Sequence, residues 1–249
     1  MRAFLTAVQF LTCMPVPRRA EPSAEERGRS VLYYPAVGLV IGMLLVATAF
    51  AVGGAEPALG AALLLLLVWV GVSGGLHLDG FADTADAWVG GYGDRDKTLA
   101  IMKDPRRGSA AIVAVVLLLL LKYSALMVLL RAGEWSALLF TPVIARAAIV
   151  FLFLTTSYAR PDGIGASHAT HLPRRAALVV LIGTLVAVAL FDYGMIVPLL
   201  VAGAIAVGLR QMVRCRLGGS TGDTLGASCE IVEATVLLTA ALALGHIDG

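Results

Sequence analysis

Seven apolar runs, at residues 31–52, 58–76, 110–130, 135–156, 176–191, 195–209 and 225–244, leave this chain few ways to fold. Each is near the ~20 residues that an α-helix needs to cross a hydrocarbon layer ~30 Å thick. No water is available there to pair with backbone N–H and C=O groups, so such a segment closes its hydrogen bonds within itself as a helix. With 59% of the residues hydrophobic and 14% charged, the 249 positions leave little chain over for a soluble domain. The expected fold is all-α: one integral-membrane domain over residues 1–249, a polytopic helical bundle of about seven spans. A shorter apolar run at residues 1–14, followed by Pro15, Pro17, Arg18, Arg19, Glu25 and Glu26, looks superficially like a signal peptide. It lacks a small-x-small cleavage site, and a run this short fits an interfacial or re-entrant helix.

The loops between the runs alternate in charge. Arg2, Arg18, Arg19, Arg27 and Arg29 precede the first run, and Arg95, Lys97, Lys103, Arg106 and Arg107 follow the second. Arg160, Arg174 and Arg175 follow the fourth, and Arg210, Arg214 and Arg216 follow the sixth. The opposite loops, around Glu56, Glu134 and Asp192, contain only Arg131. By the positive-inside rule the N-terminus faces the cytoplasm and the C-terminus the other side. The formal net charge of +2, with no basic block, gives no footprint for nucleic acid. Cys13, Cys215 and Cys229 form neither a CxxC nor a His-paired spacing, so the expectation is free thiols.

With this orientation three polar segments share the cytoplasmic face. In GGLHLDGFADTADAWVGG, residues 74–91, Asp83 and Asp86 follow Asp79 by four and seven residues, each within about 40° of it on a helix, with His77 on the far side. Three like charges on one face call for a cation, and oxygen-only ligands suit a hard one such as Mg²⁺, unless the stretch is simply an acidic amphipathic turn at the membrane surface. In MKDPRRGS, residues 102–109, Lys103, Arg106 and Arg107 surround Asp104. Cations facing carboxylates across one loop are the combination that phosphate chemistry uses, although positive-inside charge alone also explains the basic residues. In GGSTGDTLGASCEIVE, residues 218–233, Ser220 and Thr221 precede a helix start near Asp223, which is either a phosphate cradle or a capped turn. Glu230 and Glu233 lie further along that helix inside an apolar run, as do Lys122 and Arg146 in theirs. Ionisable groups at that depth either pair with one another or meet substrate.

These segments, together with FLTAVQFLTCMPVPRR and GRSVLYYPAVG near the N-terminus, resemble the bacterial cobalamin synthase family, the adenosylcobinamide-GDP ribazoletransferases, over nearly the whole chain. The resemblance implies an enzyme of the bacterial cytoplasmic membrane that joins adenosylcobinamide-GDP to α-ribazole or its 5′-phosphate, releases GMP and uses Mg²⁺. Oligomers are compatible with it. It implies Asp79, Asp83 and Asp86 as metal ligands, and Asp83 or Asp223 as the base. Arg29, Lys103, Asp104, Arg106, Arg107 and Arg146 would meet phosphates or substrate, with Ser220, Thr221, Glu230 and Glu233 on the substrate side and a second metal at Asp223 and Glu230 as a further option. The DGxxD core at Asp79, Gly80 and Asp83 is also similar to that of CDP-alcohol phosphotransferases, but their Ala-Arg pair and wider aspartate spacing are missing. An ion- or proton-coupled transporter is the rival from another class. It sits less well with an acidic cluster at a span end beside a basic loop, and no clear internal repeat is present.

Overall fold

The computed structural model describes residues 1–17, 21–52, 58–106, 108–160, 163 and 165–244. Arg18, Arg19, Glu56 and Arg107 of the expectations above lie outside them. Twelve α-helices are described: α1 (Arg2–Leu11), α2 (Ala24–Ser30), α3 (Tyr34–Val52), α4 (Ala58–Ser73), α5 (Leu76–Gly90), α6 (Arg95–Ile101), α7 (Ser109–Ala132), α8 (Trp135–Thr155), α9 (Ala166–Thr170), α10 (Arg174–Phe191), α11 (Ile196–Leu217) and α12 (Gly222–Leu244). Among the described residues, six helical rods are long and apolar enough to cross a membrane, and the pair α4–α5 makes a seventh if counted as one broken span. The all-helical bundle expected from the apolar runs is what forms.

The expected first span starts earlier than the apolar run does. A capping box, in which Ser23 accepts from the Glu26 amide and Glu26 from the Ser23 amide, starts α2. A short 3₁₀ turn joins α2 to α3 and makes one rod over Ala24–Val52. The amphipathic α1, about 15 Å long, is too short to cross. It turns Ala7, Val8 and Leu11 inward, stacks Phe10 near Tyr34 and His168, and is followed by Cys13, whose amide donates to the Val72 carbonyl at 2.7 Å.

At the centre stands α8, the most enclosed of the spans. It packs on α3, α12, α10 and α11, and its backbone comes so near α3 at Pro142 and Leu139 that Gly38 and Gly42 have no room for a side chain, the small-residue packing usual between helices in lipid. Two further departures from the sequence reading have local causes. Gly74 and Gly75 both take the left-handed conformation, at φ 61° and 68°, and the axes of α4 and α5 meet there at 89°. The second run is therefore a 16-residue helix followed by a sharp corner, and the aspartates ride on the arm that turns away. Arg210, Arg214 and Arg216, expected in a loop, extend α11, where cations in the last turns complement the helix dipole.

Candidate active site

The arm α5 packs along the first half of α12, and the contact is backbone on backbone. A Cβ placed on Gly80 would lie 2.8 Å from the carbonyl oxygen and 3.0 Å from the Cα of Asp223, and one on Gly226 would meet His77 at 3.3 Å. This seam brings the first and third polar segments together. Asp79 and Asp83 lie one residue before and three residues after Gly80, on the same side of it by helical geometry. Asp79 is exposed and Asp83 half-buried. Asp86, the third of the expected metal ligands, reaches the second segment: its two carboxylate oxygens accept the amides of Gly108 at 2.5 Å and Ala111 at 2.8 Å. The N-cap of α7 is Gly108, which has no side chain to offer, so Asp86 supplies both the acceptor and the negative charge that a helix N-terminus favours.

Asp223 lies in the first turn of α12, and its Oδ2 accepts from Nη1 of Arg160 at 2.7 Å. The other arm of that guanidinium donates to the Leu99 carbonyl at 3.4 Å, so Arg160 ties the end of α6 to the start of α12. The sequence pointed to Arg160 only as a topology marker, because its partner is 63 residues away. Ser220 and Thr221, proposed as phosphate ligands, are buried. The Ser220 amide donates to the Ser157 carbonyl and its own carbonyl accepts from Ala159, both at 2.8 Å, forming a single parallel bridge. Its hydroxyl accepts from Thr156 at 3.0 Å, and Thr221 bonds with Thr224 in the turn that opens α12. Tyr158, the partner of Ser220 in this bridge, accepts the Gly165 amide at 3.2 Å through its hydroxyl, and burial pushes its phenol above the ordinary tyrosine range.

In the second segment Lys103 is exposed and Asp104 closes a local fork with Arg106, with contacts of 2.7 to 3.2 Å from its side chain and amide. Those hydrogen bonds hold the Asp104 carboxyl at a pKa of about 2. Arg216 backs the same end of the molecule, lying over the Trp88 ring and donating to Thr98 at 3.0 Å and to the Trp88 carbonyl at 3.1 Å. Arg29 stands apart on α2, whose neighbours are α1 and α9.

Glu230, Glu233, Lys122 and Arg146 meet in the middle of the bundle. Nζ of Lys122 lies 2.5 Å from both Glu230 and Glu233, Arg146 pairs with Glu233 through Nη1, and the Trp69 indole donates to Glu233 at 3.3 Å. His77, on the face of α5 away from the aspartates, sits 3.4 Å from Arg146. All four ionisable side chains are at most 5% exposed. Two cations face two carboxylates, so the group is neutral as a whole, which is what makes its burial tolerable. Glu230 and Glu233 follow Asp223 by seven and ten residues, about 10 and 15 Å along α12, so the quartet lies beneath the seam rather than in it. Of the two roles left open for these residues, mutual pairing is the one that this arrangement displays. Trp69 and His77 are its partners unforeseen from sequence.

No group of three or more His, Cys, Asp or Glu among the described residues is arranged to hold a metal ion by itself. Mg²⁺ rarely requires that, since it usually takes one or two carboxylates together with substrate phosphates and water. Asp79 and Asp83, oxygen donors at the rim of the bundle, fit that mode.

Residues 3–241 match the family described as cobalamin-5-phosphate synthase. A protein of Stutzerimonas stutzeri (strain A1501) named adenosylcobinamide-GDP ribazoletransferase is 49% identical over 246 residues, 99% of this chain and 100% of the relative. Proteins of the same name from Pseudomonas aeruginosa (strain UCBPP-PA14) and Pseudomonas putida (strain GB-1) are 52% and 51% identical, covering 97% and 98% of this chain and 98% and 100% of their own. No solved structure matches the chain. Similarity at this level from end to end, with the three polar segments drawn to one end of a membrane bundle, means that the chain belongs to the cobalamin-5-phosphate synthase family.

Proposed function

We propose that this protein is the adenosylcobinamide-GDP ribazoletransferase of its cell, and that the reaction takes place at the seam between α5 and α12. The observation that carries the reading is the backbone contact of Gly80 with Asp223, which sets the Asp79–Asp83 pair of one helix beside the Asp223–Arg160 pair of another. A ribose hydroxyl of α-ribazole, or of its 5′-phosphate, attacks the phosphorus nearer the corrinoid in adenosylcobinamide-GDP. The new P–O bond forms as the bond to the bridging oxygen breaks, GMP carries that oxygen away, and the hydroxyl proton passes to a carboxylate. We assign that proton to Asp223, which Arg160 holds in orientation from the far side of the seam. Lys103 and Arg106 at the rim would meet phosphate charge from solution.

Mg²⁺ would be held by Asp79 and Asp83 and would supply neutralisation of the pyrophosphate oxygens. Asp86 acts in this reading by fixing the start of α7 to α5. The site and the N-terminus face the cytoplasm across the bacterial inner membrane, in keeping with the basic loops, and the end of α12 faces the other side. The intramembrane carboxylates that suggested an ion pathway are neutralised by Lys122 and Arg146, which favours a transferase over a transporter. Purified protein in nanodiscs, given adenosylcobinamide-GDP and Mg²⁺, should release GMP only when α-ribazole or its 5′-phosphate is present, one GMP per cobalamin product. No GMP release with either acceptor would overturn the proposal.

A further inference from the structure

Away from the seam, α8, α10 and α11 enclose an apolar groove of about 600 Å³, lined by residues such as Phe151, Leu185, Ala202, Gly203 and Val207. It runs along α11 from Ile196 to Val207, about 16 Å, close to half of a ~30 Å hydrocarbon core and thus to the depth of one leaflet. Two cations stand beyond one end of the groove. One turn beyond Phe151, the carbonyl of Leu154 accepts from Arg174 and that of Thr155 accepts from Nε of Arg210 at 3.3 Å. Arg175 and Arg214, both exposed, stand beside them in sequence. These arginines serve more than topology, because two of them are fastened to the end of α8 with their charge at the mouth of an apolar channel. A guanidinium carries five N–H donors in a fork that matches phosphate, and a single carbonyl engages one of them.

We infer that this groove is a binding site for one anionic phospholipid, with an acyl chain along α10 and α11 and its phosphate at Arg174 and Arg210. The occupant follows from the charge at the mouth and the one-leaflet length together. A second copy of the chain would fill the apolar part but would not explain the cations. A Cβ on Gly203 meets no atom within 4 Å, so a side chain can be added there into open groove without disturbing the helices.

The test is native mass spectrometry of the full-length protein in detergent, titrated separately with phosphatidylglycerol and phosphatidylcholine. One phosphatidylglycerol should bind in preference to phosphatidylcholine. An arginine near an anionic lipid contributes a factor of about 5, so Arg174→Ala with Arg210→Ala should weaken phosphatidylglycerol about 25-fold and leave phosphatidylcholine little changed. Gly203→Leu should weaken both lipids at an unaltered melting temperature. Equal binding of the two lipids by the wild type, no bound lipid, a lipid-free dimer, or a Gly203→Leu protein with wild-type retention would each overturn the assignment.

Discussion

Gly80→Ala is the smallest change that tests the seam. The added methyl carbon would sit 2.8 Å from the Asp223 carbonyl oxygen, 3.0 Å from its Cα and 3.3 Å from its carbonyl carbon. Carbon contacts settle at about 3.5–4.0 Å, so α5 and α12 must part by roughly 0.7 Å or more. Every atom met is backbone, and no rotamer change can relieve the contact. Overpacking of this kind costs about 1–3 kcal/mol, while replacing glycine by alanine inside a helix returns about 1 kcal/mol. Net stability should therefore fall by only about 0–2 kcal/mol. Turnover should suffer far more, since Asp79 and Asp83 move with α5 away from Asp223, and misplacement by about 1 Å costs on the order of 10²-fold. GMP release measured in nanodiscs beside the melting temperature separates the two effects. Gly71→Ala on α4, where a Cβ meets nothing within 4 Å, is the matched control and should leave both unchanged or slightly improved. A Gly80→Ala protein that turns over like the wild type would refute the claim that this contact aligns the site.

Asp79→Asn and Asp83→Asn should each reduce turnover at least ~10²-fold, as expected for preorganised charges at a phosphoryl group, and should raise the Mg²⁺ needed for half-maximal rate; wild-type Mg²⁺ titrations in both would remove them as ligands. Asp223→Ser keeps an oxygen in the first turn of α12, so the melting temperature should shift by no more than about 1 kcal/mol allows while turnover drops ~10²-fold; a wild-type rate would reassign the proton. Glu233→Gln strands the Arg146 charge and should destabilise by about 3–5 kcal/mol, with recovery when Arg146→Met is added because the remaining Lys122–Glu230 pair is neutral; a melting temperature insensitive to both changes would show that the quartet is not structural. A reporter inserted near Asp94 should give the cytoplasmic signal and one placed after Leu244 the opposite; matching signals would break the orientation.

Much of this architecture is legible in the residues. Runs of apolar side chains in lipid admit one backbone solution, so the helices could be counted from hydropathy, and alternating loop charge grouped the polar segments before any contact was known. The corner at Gly74–Gly75 was not legible in the same way: a glycine pair announces a turn, but an angle of 89° depends on what α5 packs against. Nor was the fate of the hydroxyls at Ser220 and Thr221, which have the composition of a phosphate cradle: the first bonds across to Thr156 and the second stays within its own turn with Thr224. Spacing along one helix put Glu230 and Glu233 on an inward face. That their charges would close on Lys122 and Arg146 rested on the meeting of three helices, which no local pattern encodes. Arg160 illustrates the general limit, since a lone arginine past a span looks alike whether it marks a membrane face or clamps a carboxylate across the fold.

The neutral quartet also bears on how such a chain is made. Lys122 and Arg146 belong to α7 and α8, whereas both carboxylates belong to α12, which leaves the ribosome about 100 residues later. Until then two cations sit in mid-bilayer at a cost of roughly 2.5–3.5 kcal/mol each. The earlier helices are thus held in an unsettled bundle, and the arrival of α12 discharges that deficit at the same moment as it delivers Asp223 to Gly80. Without α12 the bundle carries unmatched charge in the membrane, so that neutralisation of Lys122 and Arg146 and completion of the site become one event.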